Sequence, residues 1–249
     1  MTTLEFKESF NLLYNNINSM ASPGFDDYEL SLLLTLAQEE LIKNYNDPKS
    51  NIKLEGFEGS DKRRVDLKEL ITNFRTTNSL SNQNYKLSDN SVIFQIPNNV
   101  FLIKQESAKI IDPCSIGKIQ KNIVYKTVGV IPKTHDEYNT QIKNPFKRPN
   151  DKKVWRLDYN SSEPGTNIVE LISKFSIFEY QMRYLRYPKP IIISNLPSGL
   201  SIDGQSLEQT SELNKEIHSE IVRLAVELSK LSYKYDSLGN FVDLYKRKE

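Results

Sequence analysis

Residues 129–159 read GVIPKTHDEYNTQIKNPFKRPNDKKVWRLDY. The run starts as a strand, is interrupted at Pro132, and crosses a polar segment. It re-enters a strand at VWRL (154–157), which carries the only tryptophan of the chain, Trp155. Between Lys143 and Arg156, Lys143, Lys147, Arg148, Lys152, Lys153 and Arg156 face one acid, Asp151. A long basic loop between two strands is poor material for a core and good material for a contact, because connections lie on the surface and carry function.

Working outward, the neighbouring segments keep a period of two. VIFQI (92–96) and VFLI (100–103) are β-branched and aromatic, and their junction at Pro97-Asn98-Asn99 predicts a hairpin. Ile123, Tyr125 and Thr127 alternate with Val124, Lys126 and Val128. The longest alternation runs over 175–187, with Phe178, Tyr180, Met182 and Tyr184 on one face and Glu179, Gln181 and Arg183 on the other. Residues 167–174 fit a short helix or a strand equally. Pro188 and Pro190 close the sheet, and Ile191-Ile192-Ile193 offers a last strand.

Both flanks switch to a helical period. Phe6, Phe10, Leu13, Ile17 and Met20 form one stripe, ended by Pro23-Gly24. Asp26 with Glu29 makes a capping box for a helix over 28–45, whose stripe is Leu30, Leu33, Leu34, Ala37 and Leu41. Leu32 and Leu36 lie off that stripe and predict cover on a second face. Ser60 is the expected cap of a third helix with Val65, Leu67, Leu70, Ile71 and Phe74 inside. The polar run 76–90 reads as a linker. Near the end, Asn214 caps a helix with Ile217, Ile221, Leu224, Leu228 and Leu231 in its core stripe, and His218 sits off it. The order predicts an α+β fold. A helical core would be built from 1–78 and 206–235, a β-rich insertion at 85–195 would project from it, and 236–249 would form a tail.

Composition narrows the function. A net charge of +1 over 249 residues argues against a chain-wide nucleic-acid binder, so the basic excess is local. The single cysteine, Cys114, excludes an internal disulfide and lacks an activating neighbour. No run approaches the ~18 apolar residues of a membrane span. The opening MTTLEFKESF lacks the basic start and apolar run of a signal peptide, which predicts a chain made and kept in a cytoplasm. Phosphate-loop, dinucleotide, zinc-helix and C-x-x-C motifs are absent. His135, within Thr134-His135-Asp136-Glu137, has no second histidine near it, and a local turn explains the cluster. No catalytic residue, metal site or cofactor is expected, and the chain reads as a non-enzyme.

The basic loop itself allows three readings: a solvated loop, a phosphate contact, or a protein contact stiffened by Pro145 and Pro149. Arg183, Arg186 and Lys189 with Tyr184 and Tyr187 form a second basic, aromatic strip. In a ring of identical subunits, acidic and basic faces can satisfy each other, which would reconcile local charge with a near-neutral total.

Several ordered segments carry a resemblance. They are AQEELIK (37–43), Gly56-Phe57 leading to Lys62-Arg63-Arg64 and Asp66-Leu67, and HDEYN (135–139). Asn144-Pro145-Phe146, Trp155-Arg156-Leu157, YPKPII (187–192), and His218 with Ile221, Val222 and AVEL (225–228) follow. Together they resemble the structural ring or adaptor proteins, of the head-to-tail connector or tail, of crAss-like tailed bacteriophages. The resemblance implies a virion subunit with no chemistry of its own. It would sit in a twelvefold ring near the portal, touch the portal and neighbouring tail or ring proteins, join head to tail, and help line the genome channel. Lys143, Lys147, Arg148, Lys152, Lys153, Arg156, Arg183 and Arg186 are then candidate contacts between subunits or with genomic DNA. The alternative is a DNA-associated phage protein that binds phosphates through residues 143–156. No membrane role is implied.

Overall fold

The computed structural model describes residues 1–17, 24–47, 60–80, 86, 88, 91–111, 125–160 and 167–233. Cys114, Met20, Gly56 and the tail 236–249 lie outside them. The chain forms two units: Met1–Leu70 with Pro188–Glu249, and Ile71–Tyr187.

The first unit is helical. α1 (Thr3–Ile17) buries Phe6, Phe10 and Tyr14. α2 (Asp27–Asn46) starts at the predicted capping box: Asp26 accepts from the Glu29 amide at 2.7 Å, and Glu29 accepts from the Asp26 amide at 3.1 Å. α3 is shorter than the sequence predicts. It spans Asp61–Asp66 and passes through a 3-10 turn (Lys68–Leu70), Ser60 makes no side-chain cap, and Ile71 and Phe74 belong to a strand. α5 (His218–Tyr233) follows a 3-10 turn capped by Asn214. Its buried face is rotated from the predicted stripe. Ile217, Ile221, Val222, Ala225 and Val226 are buried, Leu224 and Leu228 only half so, and the Leu231 side chain is not described.

That rotation also corrects the expectation for His218, which is buried at 3% exposure. Its ring lies 5.1 Å from that of Phe6, Nε2 pairs with the Leu213 carbonyl at 3.0 Å, and Nδ1 with the Met1 amine at 2.8 Å. Residues 191–193 form no strand beyond one bridge, Ile192 to Gln209. Their backbone is held instead by a buried polar stripe on α2. Ser31 Oγ accepts from Ile193 N at 3.0 Å, Thr35 Oγ1 accepts from Ile191 N at 3.1 Å, and Gln38 Nε2 donates to the Lys189 carbonyl at 2.8 Å. The spacing of four and three puts these side chains on one helical face.

The second unit is one eight-stranded sheet. Its strands are β1 (Ile71–Thr76), β2 (Ser79–Leu80), β3 (Ser91–Ile96), β4 (Val100–Ile111), β5 (Tyr125–Pro132), β6 (Lys153–Asn160), β7 (Asn167–Ile172) and β8 (Ile177–Arg186), in the order β1-β8-β4-β5-β6-β7-β3-β2. The predicted hairpin is absent: β3 pairs with β2 and β7, and β4 with β5 and β8. Only curling of the sheet reconciles this order with a three-residue link between β3 and β4. Side chains of β3 and β8 accordingly meet, with Phe94 and Tyr180 centroids 5.9 Å apart although four strands separate them in the sheet. One enclosed core contains Phe94, Ala108, Ile110, Val128, Val154, Leu171, Tyr180, Met182 and Tyr184. β2 lies in the segment expected to be a linker, and 167–172 is strand. Phe178 leaves its predicted face because β4 and β8 slip register between Lys109–Glu179 and Ile110–Ile177, a bulge that turns it outward at 45% exposure.

Candidate assembly surface

The basic run is organised by the one parallel strand pair among the described residues, β5 with β6. Parallel strands need a crossover, and here it contains α4 (His135–Gln141), a helix where the sequence predicts only a local turn. Thr134 caps it, its hydroxyl accepting from the Glu137 amide at 3.3 Å, while Asp136 and Glu137 sit at its positive end. Tyr138 anchors it by packing edge-on against Trp155, 6.3 Å between centroids, and Ile142 joins the same cluster. His135 lies against Tyr159 and the Asp158 carbonyl. Among the described residues no group of His, Cys, Asp and Glu could hold a metal ion.

Beyond α4 the chain builds a tip from consecutive side-chain turns. Asn144 Oδ1 accepts from Phe146 N at 3.0 Å, and the Asn144 carbonyl accepts from Lys147 N at 3.1 Å and Arg148 N at 3.0 Å. Asn150 Oδ1 accepts from Lys152 N at 2.9 Å. Pro149 is buried and Pro145 exposed. Phe146, held by this frame, is 88% exposed. Lys143, Lys147, Arg148 and Lys152 are exposed around it, and half-buried Lys153 reaches the Phe146 carbonyl at 3.5 Å. The single acid of residues 143–156 is already engaged: Asp151 pairs with Lys126 at 3.2 Å, a hydrogen bond that draws its carboxyl below the ordinary value. The tip is therefore apolar at its apex and cationic at its collar.

Arg156 does not belong to this surface. On β6, Trp155 and Leu157 face α4, whereas Val154 and Arg156 face the enclosed core. Arg156 is 8% exposed. Its Nη1 lies 2.5 Å from Glu106 Oε2 and its Nε 3.0 Å from Asp158 Oδ1, while Nη2 donates to Asp158 Oδ2 at 3.2 Å. The Tyr180 hydroxyl donates to the other Glu106 oxygen. Burial opposes the Arg156 charge, but Glu106 and Asp158 outweigh it and hold the guanidinium more firmly protonated than usual. Burial, then the Glu106 charge, pushes the Tyr180 hydroxyl far above its ordinary range. Three strands, β4, β6 and β8, are joined by this group.

Arg183 and Arg186 are not gathered with the tip either. Both are half-buried on β8, where Arg183 pairs in register with Gln105 and Arg186 with Val100, towards the start of β4. The tip lies beside Lys126, which pairs with Ile110 towards the other end of that strand. The strand ends through which the chain enters and leaves this unit, Ile71 and Arg186, lie on the Arg186 side, since Ile71 pairs with Leu185. Within the sheet unit, the Phe146 tip is thus at the end remote from both links. Tyr125 and Phe178, stacked at 4.5 Å and partly exposed, share the tip's end.

A model of a family described as phage tail ring protein 3/4 matches residues 1–240. The chain belongs to this family. It is similar to Ring protein 4/5 of Bacteroides phage crAss001, with 36% identity over 100% of both chains. It is also similar to Ring protein 3 of the same phage, with 34% identity over 93% of this chain and 96% of the other. The protein is a structural ring protein of the virion. No described helix is long and apolar enough to cross a membrane.

Proposed function

We propose that this chain is the repeating subunit of a portal-proximal ring that joins head to tail and lines part of the genome-conducting channel. Its helical unit is assigned to the ring body and its sheet unit to reaching a neighbour. The observation that carries this reading is the placement of an exposed, cationic tip, framed by turns at Asn144 and Asn150, at the end of the sheet remote from both chain links. The sheet spaces the tip away from where the chain enters, and the turns at Asn144 and Asn150 set its shape before any partner arrives, which lowers the ordering cost of contact. We assign the remaining partners to the portal and adjacent tail or ring proteins, and the subunit count to twelve. The protein would be made in the host cytoplasm and end in the virion.

Native mass measurement and imaging of purified virions test this. Closed rings of one stoichiometry containing this chain are expected. A chain absent from virions, and monomeric with or without portal and neighbouring ring proteins, refutes the reading. A second reading, phosphate binding by the tip, is favoured by the cations left after Asp151 pairs with Lys126. It requires DNA affinity that falls steeply with salt and a shallower slope after Lys147→Ala with Arg148→Ala. Absence of binding at low salt removes it.

A further inference from the structure

Resting on the ring reading, we propose that the Phe146 tip of one subunit docks on the outer face of α1 in the next copy of the same chain. A ring of identical chains closes through a heterologous contact, so each subunit must carry two different, complementary surfaces. The tip supplies one: an 88% exposed Phe146 within a collar of Lys143, Lys147, Arg148 and Lys152.

α1 supplies the other. Leu4 and Leu12 are 62% and 64% exposed, and the helical repeat places them, with Glu5 and Glu8, on one outward arc. Neither carboxylate is in an ion pair among the described residues. The only lysine of the helix, Lys7, is taken out of play by Asp27 at 2.6 Å. The Thr3 hydroxyl donates to Glu208, which ties a loop to the start of α1 and adds the neighbouring Leu207, 70% exposed. An apolar strip edged by carboxylates matches an aromatic knob edged by cations in both polarity and sign. The other exposed leucine pair, Leu32 and Leu36 on α2, lacks this match because nearby Glu39 is held by Lys43. Covering Phe146, Leu207, Leu12 and Leu4 would remove from water the four most exposed large apolar side chains among the described residues.

The test places a photoreactive benzoylphenylalanine at position 146 of the full chain, allows assembly into particles, and maps the cross-link after illumination. Attachment to residues 3–17 of a second copy is expected. Attachment only to another protein, to DNA, or to nothing within an assembled ring overturns the proposal. Charge reversal gives an independent readout. Lys143→Glu, Lys147→Glu, Arg148→Glu and Lys152→Glu together, and Glu5→Lys with Glu8→Lys, should each lose the ring, and an equal mixture of the two variants should regain it, since every contact of an alternating ring then joins opposite charges. Phe146→Ala should weaken association about tenfold to a hundredfold. Rings that survive both reversals, or a mixture that stays dispersed, overturn the docking while leaving the ring reading intact. A wild-type chain that never forms a ring overturns the ring reading itself.

Discussion

Replacing Glu106 by alanine removes the carboxylate that receives both Arg156 and Tyr180 inside the curled sheet. The guanidinium would keep Asp158, whose side chain is 65% exposed and poorly able to compensate a buried charge. Breaking a buried ion pair by deleting one partner costs about 3–5 kcal/mol, and the stranded Tyr180 hydroxyl belongs to the same penalty. With a urea slope of about 2 kcal/mol/M, the midpoint should fall by about 2 M with little change in slope. Trp155 is the assay: it is the sole tryptophan, 1% exposed, and adjacent to Arg156 in the sheet unit, so its fluorescence follows that unit alone. The triple change Glu106→Leu, Arg156→Met and Tyr180→Phe removes every buried polar group of the cluster together. It should recover most of the loss, because well-packed apolar replacements of buried ion pairs are commonly neutral or better. A Glu106→Ala midpoint within about 0.25 M of wild type, about 0.5 kcal/mol at that slope, would refute the buried pair, since that is the range of ordinary surface substitutions. A triple variant as unstable as the single one would show that packing volume, and not an uncompensated charge, sets the cost.

Two predictions concern the helical unit, both followed by helical circular dichroism. Gln38→Leu leaves the Lys189 carbonyl and the Ser211 hydroxyl without their shared partner and should cost about 1–3 kcal/mol in urea unfolding; an unchanged midpoint would mean that the α2 stripe does not hold residues 189–193. His218 is held below its ordinary value of 6.5, chiefly by burial, against a raising contribution from the Leu213 carbonyl and with the Met1 amine and Lys215 adding repulsion. The folded state therefore binds fewer protons than the unfolded one, so stability is present above about pH 6.5 and is lost as pH falls through the lower folded value. His218→Gln should abolish that step, and a variant with the same pH dependence would exclude His218 as its source.

The helices were legible because each carries its own evidence. The α2 start is written in Asp26 and Glu29, and α1 in Phe6 and Phe10 at a spacing of four. Strand partners were not, because a strand–turn–strand signal at 92–103 is the same whether the strands pair or diverge. Only the curled sheet, closed by side-chain packing between β3 and β8, decides that they diverge. α4 leaves no periodic signal because it is short, polar and packed through Tyr138 against Trp155, a partner remote from its own segment. His218 falls off a stripe centred on Leu224 and Leu228, whereas the buried face runs one position round, through Ala225 and Ser229, both fully buried. The Ser31, Thr35 and Gln38 stripe was visible in the spacing, but a polar stripe reads as solvent-facing until the backbone it serves is known.

Arg156 shows how one basic cluster divides by strand parity. Lys152 and Lys153 lead into β6, and from Val154 onward alternate side chains enter the enclosed core, so Arg156 falls on the same side as Val154. That parity was available in the sequence, and it separates a cation that braces the sheet from cations that stay outside. The division has a mechanical consequence. Arg156 binds β6 to β4 through Glu106, and β6 is the strand onto which the tip returns, through the Asn150–Lys153 bridge. The tip is therefore seated on a strand clamped from within by charge and, on its other face, by Trp155 under α4. A contact presented from such a base gives up little conformational freedom when it docks, which favours residues 143–152 as the side that fits and the partner surface as the side that is fitted. Weakening the Glu106–Arg156 clamp should then loosen ring association as well as lower sheet stability, whereas Phe146→Ala should do only the first.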